Sequence, residues 1–317
     1  MIGGDNVGQG LLNNTSSYGV DVSAVSVIDD AQTASYTAIH DSTGDLSLAV
    51  ADMKIFNNIN DEYINRYCSD LISSKVVVID GNISFNAARQ ITSYLTNTTT
   101  STSTNTTKNH VLIFEPTSDH KCLLPFLQKP SLIHMIDIIK PNLSELRVLT
   151  EACLSSSDDN DDNDNNDNND NNATKNKFEK IKMSDDTDDI GFMASILLNA
   201  MESNNDNDND NNTQQHKHVI VSLGKRGVIW STRSPAIKEC DGYHHHQLRS
   251  KHYYYTLVPS LPVDVIGNTN GAGDAFLGGF IAEVVNNTNR NGSILDKIKL
   301  STVQAGLLAA KEKLLQQ

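Results

Sequence analysis

Basic residues are scarce. The chain has 25 lysines and arginines against 39 acidic residues, and they form no stripe that could follow a phosphate backbone, so nothing points to nucleic acid. No apolar run is long enough to span a bilayer, and no signal-peptide pattern is read. Four cysteines, Cys68, Cys122, Cys153 and Cys240, are scattered without paired spacing. That argues against a disulfide-stapled fold and for free or buried thiols in a reducing, cytoplasmic setting. Hydrophobic residues make up only 38%, and the deficit is local. Residues 96–107 are a Thr/Ser/Asn tract, and 155–172 and 203–212 are Asn/Asp tracts. None can bury a core, so all three read as disordered, low-complexity surface insertions. The two Asn/Asp tracts hold seven and three aspartates, so the net charge of −14 falls to about −4 without them. The acidity therefore says little about partners. His244, His245 and His246 read as part of a solvated polar loop, with a metal site as the less expected alternative.

The 317 residues suffice for one large α/β domain or two small ones. Thr33–Ile39 and Leu46–Asp52 alternate around a turn-rich Asp41–Asp45, which predicts a hairpin. Helical spacing follows from Asn58 to Ile72. Val76–Asp80, Val111–Pro116 and Met135–Asn142 are apolar runs of the kind that form buried parallel strands. Helices are predicted over Ser84–Leu95, 143–153, 189–201, 274–287 and about 293–313. His218–Gly224 reads as a strand ending in glycine, Gly227–Ser231 as its return, Tyr253–Val258 as another strand and Leu261–Ile266 as a strand end. Alternating strands and helices argue a mostly parallel sheet covered on both faces. Ligands of such sheets sit beyond the carboxyl ends of the strands. Asn82, Asn142 with Glu145, Gly224 with Gly227, and Gly271–Asp274 all stand at such ends.

The stretch NTNGAGDAFLGGF, residues 268–280, places three small residues before an aspartate and an apolar helix. Glycines there leave backbone N–H groups bare at a helix start, which is an anion site by geometry and dipole. An aspartate cannot be the anion's ligand. Asp274 is either an N-capping residue or a base that takes a proton beside a phosphate.

Three motifs in order carry a resemblance. KPNLSE at 140–145, SLGKRG at 222–227 and NTNGAGDAF at 268–276 resemble the Asn-x-x-Glu element, the nucleotide-side glycine turn and the Gly-x-Gly-Asp signature of the ribokinase-like (PfkB) sugar and nucleoside kinases. Residues 33–53, ending in Asp52–Met53, VVVIDGNIS at 76–84 and EPTSDHKC at 115–122 are similar to the pseudouridine-kinase branch, as is Asn268, where most relatives carry aspartate.

The resemblance implies a ribokinase-like three-layer α/β/α sandwich with a mostly parallel sheet and a small β lid hairpin at 33–53, one kinase domain over 1–317. It implies ATP and Mg²⁺, and transfer of the γ-phosphoryl group to a hydroxymethyl group, the 5′-hydroxyl of pseudouridine or that of another sugar or nucleoside. By resemblance Asp274 is the base, and the N–H groups of Gly271, Ala272 and Gly273 form the anion hole. Ser222, Gly224, Gly227, Asn268 and Asn142 border the nucleotide, Glu145 the Mg²⁺, and Asn82, Asp52 and Tyr36 the substrate. For Glu145 a first-turn dipole partner is the plainer reading, for Ser222, Gly224 and Gly227 a strand-end turn. Ala305, Gly306 and Ala309 either leave room for adenine or serve close packing. The neutral Asn268 is a weak cation ligand, so no potassium requirement is expected. The expected partner is a small-molecule substrate, with no nucleic acid and no membrane. In parts of the family the hairpin forms dimer contacts, and relatives can be fused to a pseudouridine-5′-phosphate glycosidase. The start, MIGGDNVGQG, resembles the middle of the family pattern. The expectation is that the opening strands, with the substrate-holding Gly–Gly and Asn, are missing from this chain, and that an incomplete or catalytically silent form is the rival to an active kinase.

Overall fold

A computed structural model describes residues 1–40, 46–97, 110–156, 167–202, 216–234, 237–238, 240–248, 251–263, 269–287 and 294–315. They fall into two compact units. One comprises Met1–Ser73 and Asn82–Tyr94, the other Ser74–Gly81 and Leu95–Gln317.

The first unit starts with strand β1 (Ile2–Gly3), helix α1 (Asn6–Ser17) and strand β2 (Val27–Ile28), the two strands pairing in parallel. Asp5 caps α1 by accepting the Gly8 N–H at 2.7 Å. The same carboxylate accepts the Thr33 N–H and hydroxyl, each at 2.7 Å, and these bonds, the Thr33 N–H first, hold its pKa below the usual carboxylate value. The expected hairpin is present as β3 (Ser35–His40) and β4 (Leu46–Asp52), antiparallel; its turn lies outside the described residues. The helical stretch after it is two short helices, α2 (Asp61–Arg66) and α3 (Cys68–Ser73). Helix α4 spans Phe85–Asn97.

The second unit is built on a seven-stranded sheet. Its strands are β5 (Val76–Asp80), β6 (Val111–Glu115), β7 (Ile138–Ile139), β8 (His218–Ser222), β9 (Val228–Thr232), β10 (His244–Leu248) and β11 (Lys251–Val258). The order is β10-β11-β9-β8-β7-β6-β5. Pairing is parallel from β5 to β8 and antiparallel beyond it, so five of the seven strands point the same way. Helices α5 (Leu143–Ser156), α6 (Asp167–Ile181), α7 (Thr187–Met201), α8 (Ala272–Asn286) and α9 (Leu300–Leu315) complete it. Val111, Ile113, Ile138, Ile220 and Trp230 pack with Phe276, Phe280 and Val303 of α8 and α9 on one face. Tyr255, which points the other way from β11, donates to Asp188 of α7 at 2.8 Å. Thr150 of α5 reaches the Met193 carbonyl of α7. Helices therefore cover both faces, giving three layers.

Several elements differ from expectation. Strand β7 is two residues long, not eight, because Ile133–Met135 is a 3₁₀ turn and the buried Asp137 carboxylate accepts the Leu112 N–H at 2.8 Å. The histidine run is strand β10, not a loop. Its rings lie against tyrosines of the paired strand, His244 with Tyr255 at 5.3 Å and His246 with Tyr255 at 5.0 Å, and cross-strand aromatic contacts override a weak strand composition. Residues 261–263 form no strand, and 264–266 lie outside the described residues. Helix α6 begins inside the first Asn/Asp tract, at Asp167. Residues 157–166 of that tract, 98–107 of the Thr-rich tract and all of 203–212 lie outside the described residues.

Candidate active site

Two helices of the second unit start at the carboxyl edge of the sheet. The first, α5, follows β7 through Lys140, Pro141 and Asn142. Asn142 bridges to Ser222 at the end of β8, and Ser222 donates its N–H to the Pro141 carbonyl at 2.8 Å. Asn142 Oδ1 accepts the Glu145 N–H at 2.9 Å, and Glu145 Oε2 accepts the Asn142 N–H at 2.8 Å. This is a reciprocal capping box. Glu145 stands in the first turn of α5, and Glu145 Oε1 and Asn142 Nδ2 remain uncommitted among the described residues. Glu145 is buried, and burial pushes its carboxyl up against the pull of the Asn142 N–H and Lys140.

The second start is that of α8. Gly271 is its N-cap at φ +77°, a left-handed conformation that favours glycine. Ala272 donates its N–H to the Thr269 carbonyl at 3.2 Å, and Ala275 donates to the Gly271 carbonyl at 2.9 Å. The Ala272 donor is thus engaged inside the turn. No side chain caps the helix. Asp274 is exposed in the first turn, and no hydrogen bond or ion pair holds its carboxylate among the described residues. The small residues at 305, 306 and 309 serve packing. A side chain on Gly279 would begin 2.6 Å from Ala309 Cβ, and one on Gly306 would begin 2.8 Å from the Phe276 ring.

Between these two starts lies an ion pair that motif reading did not single out. The register of β6 on β7 sets Phe114 beside Ile139, so the next residues, Glu115 and Lys140, meet. Lys140 Nζ lies 3.0 Å from Glu115 Oε2. This buried oxygen thus has the Lys140 ammonium as its charge partner. Burial pushes the Glu115 carboxyl up to about 7, opposed by Lys140 and reinforced by Glu145 and Asp274. A signal was present in the sequence. Two apolar strands each end in a charged residue followed by proline, Glu115–Pro116 and Lys140–Pro141. Thr117, just beyond, has φ +72°, costly for a β-branched residue, and accepts the Gly81 N–H at 3.1 Å. Lys313 of α9, also missed, approaches Gly271: a side chain there would begin 3.4 Å from Lys313 Cε.

The glycine turn after β8 divides in two. Gly224, at φ +57°, is exposed with open space around it. Gly227, at φ +101°, is buried, and a side chain there would begin 2.1 Å from the Val258 carbonyl. Gly227 is thus needed for close packing against the end of β11. Asn268 lies outside the described residues. Asn82, Asp52 and Tyr36 belong to the first unit. Asp52 is half-exposed and accepts the Lys54 N–H at 3.2 Å, and Tyr36 is 58% exposed.

Among the described residues no group of three or more His, Cys, Asp or Glu side chains is placed to hold a metal alone. Mg²⁺ is typically held by one or two carboxylates together with phosphate oxygens and water. Glu145, with a free oxygen, and the crowded Glu115 and Asp274 fit that mode of binding. Among the described residues no helix is long and apolar enough to cross a membrane.

The model of the pfkB family of carbohydrate kinases matches residues 1–178 and 187–312. The pseudouridine kinase of Escherichia coli is 31% identical over 159 residues, 50% of this chain and 45% of that protein. A pseudouridine-metabolizing bifunctional protein of Schizosaccharomyces pombe is 29% identical over 253 residues, 78% of this chain and 30% of that protein. The chain thus spans less than half the length of these curated relatives. Among solved structures, adenosine kinase of Anopheles gambiae aligns with a TM-score of 0.63 at 16% identity, over 99% of this chain and 71% of that one.

Proposed function

Because the chain belongs to the pfkB family of carbohydrate kinases, we propose that it transfers the γ-phosphoryl group of ATP to the hydroxymethyl group of a sugar or nucleoside. The observation that carries this reading is the start of α8, where Asp274, a carboxylate without a partner among the described residues, stands beside the turn Gly271–Gly273, which no side chain caps. The substrate oxygen attacks the γ-phosphorus. A new O–P bond forms, the bond to the bridging oxygen breaks, ADP leaves, and the hydroxyl proton passes to Asp274. General-base help of this kind is worth roughly 10²–10⁴ in rate. Backbone N–H groups at the helix start stabilise charge on the transferred oxygens. Mg²⁺, when bound, neutralises phosphate charge, and Glu145 with Asn142 would hold it and its waters. Ser222 and Gly224, at the neighbouring strand end, are the residues proposed to border the nucleotide.

Two relatives with pseudouridine in their names support pseudouridine as the acceptor, with pseudouridine 5′-phosphate as product. Asn82, Asp52 and Tyr36 are proposed to contact it. The bifunctional relative supports a functional link to an enzyme that acts on that product. The absence of a membrane-crossing helix among the described residues is consistent with the cytoplasmic setting proposed here. Ile39, Leu48 and Val50 are each more than half exposed and share one face of the hairpin by its register, which supports the reading that a second copy covers it.

The test is ATP turnover by the purified chain with pseudouridine, beside Asp274→Asn, with ribose and adenosine as competing acceptors. Pseudouridine-dependent turnover that is lost in the variant is the expected result. Equal turnover in the variant would overturn the role of Asp274, and faster turnover of a competitor would replace the substrate. No turnover by a folded protein would leave the silent-homologue reading in its place.

A further inference from the structure

The turn before α8 carries an asparagine that neither the fold nor the proposed chemistry requires. Asn270 and Gly271 form one of two Asn–Gly pairs in the chain; the other, Asn291–Gly292, lies outside the described residues. Asn270 and Gly271 are the central residues of a tight turn, closed by the Ala272 N–H on the Thr269 carbonyl at 3.2 Å. Gly271 stands at φ +77° and ψ 0°, and Asn270 takes no left-handed conformation. This is a type II turn, whose third residue calls for glycine while its second accepts most residues. The glycine is thus fixed by the turn, and the asparagine before it is not.

Asparagine is a thermolabile residue, and its lability depends on the backbone nitrogen that follows it. That nitrogen can attack the side-chain amide carbon. With glycine next in the chain, no Cβ screens the nitrogen. The surroundings supply little screening of their own. A side chain on Gly271 would meet only Lys313 Cε, at 3.4 Å. The Gly271 carbonyl is held by the Ala275 N–H, but among the described residues the Gly271 N–H donates no hydrogen bond. Its reaction therefore breaks no bond of the helix. Asn270 is exposed, so water reaches the reacting carbon.

We propose that Asn270 is a site of spontaneous deamidation, and that its conversion weakens the chain's hold on its phosphate donor without unfolding it. The Gly271 nitrogen gives its proton to solvent and bonds to Asn270 Cγ. The bond from Cγ to Nδ2 breaks, and ammonia leaves with a cyclic imide in its place. Water then opens the imide at either carbonyl. One opening yields aspartate, the other isoaspartate, whose main chain runs through the side-chain carbon. Either product sets a carboxylate beside the start of α8. A helix N-terminus favours negative charge, and the Lys313 side chain lies close by, so the fold tolerates the product. A phosphate donor brought to the same turn meets like charge instead. Isoaspartate also lengthens the main chain directly before Gly271 and displaces the backbone donors. The chemical step stands on the turn alone, and its effect on activity rests on the phosphotransfer reading above.

The experiment incubates the full chain at neutral and mildly alkaline pH and maps its peptides by mass spectrometry. A synthetic peptide of residues 268–276 is the unstructured reference. Residue 270 of the folded chain is expected to change from amide to acid at a rate comparable to that of the peptide, faster at the higher pH because the attacking nitrogen must lose its proton. An Asn270 that stays intact in the folded chain while the peptide converts overturns the proposal, and so does conversion confined to Asn291. KM for ATP should rise severalfold as conversion proceeds. Asn270→Ser has no amide to lose and should keep its own starting KM through the same incubation. Asn270→Asp reproduces the aspartate product, and is expected to show the raised KM with a melting temperature no lower than that of the parent. A parental KM in both Asn270→Asp and the converted chain overturns the effect on activity. A parent that never turns over, yet converts at residue 270, removes the phosphotransfer reading and the effect built on it while bearing out the modification.

Discussion

The helices α5 and α8 start at the same edge of one sheet, and their first turns are treated in opposite ways. In α5 the two exposed ends of the backbone and side chain close on each other: Asn142 caps Glu145 and Glu145 caps Asn142. In α8 the cap is a glycine in a left-handed conformation, with no side-chain acceptor, followed by an exposed carboxylate without a partner among the described residues. A helix start leaves N–H groups that something must satisfy. Where the chain satisfies them itself, the turn contributes stability. Where it does not, the donors are available to a ligand and the turn is free to carry chemistry. The contrast predicts that loss of Asp274 will cost activity with little stability, and that damage to α5's start will cost stability as well.

The largest effect expected from breaking this contrast is at Asp274. Asp274→Asn should lower turnover roughly 10²–10⁴-fold, and its melting temperature should match the parent because the side chain is exposed and unpartnered. A comparable fall in melting temperature would mean that Asp274 stabilises the helix start, and the contrast would fail. Next is Gly271→Val. A β-branched residue at φ +77° costs about 1–3 kcal/mol in backbone strain and would intrude toward Lys313. Turnover should fall at least tenfold while the circular dichroism spectrum stays that of the parent.

The ion pair between the two starts gives a pH test. The Glu115 carboxyl is raised from 4.5 to about 7 in the folded protein. Between those values the folded state binds more protons than the unfolded one, so stability falls as pH rises from about 4.5 to 7. The upper bound on that loss is roughly 3 kcal/mol, with the opposing pull of Lys140 already included in the shift. Glu115→Gln should flatten this part of the profile. The readout is the chemical-denaturation midpoint at several pH values across that window, and an unchanged slope would assign it to another group.

How much of this was legible in the sequence follows from what each feature depends on. The turn at Gly271–Asp274 and the Asn142–Glu145 pair are local, so spacing within a few residues reveals them. The apolar runs of β5, β6 and β8 fix a sheet, and their order matches the expected α/β architecture. Lys140 and Lys313 were not legible, because their meaning is tertiary. One stands at the end of a two-residue strand, the other lies some forty positions beyond the turn it approaches. Strand β10 was missed because histidine is a poor strand signal. Its pairing is a hairpin with β11, whose tyrosines lie seven to eleven residues further along the chain. Gly227 was read toward a nucleotide, yet the close approach of the Val258 carbonyl already requires it, so its conservation in any variant screen would say nothing about ligand binding.

The smallest expected effect is at Asn142, and it is the sharpest test of the contrast. Asn142→Ala removes the acceptor for the Glu145 N–H but leaves the Asn142 backbone N–H to bond Glu145 Oε2. Loss of an N-cap costs about 1 kcal/mol, which is a drop of a few degrees in melting temperature for a unit of this size. If the capping box were the whole role of this residue, turnover at saturating Mg²⁺ would be unchanged and the α5 start would be purely structural. If Asn142 also holds Mg²⁺ waters, the variant will need more Mg²⁺ for half-maximal turnover, by several-fold, at the same modest loss of stability. Titrating Mg²⁺ in the parent and the variant at one temperature, well below both melting transitions, separates these outcomes, because a cap alone has no means of shifting the metal requirement.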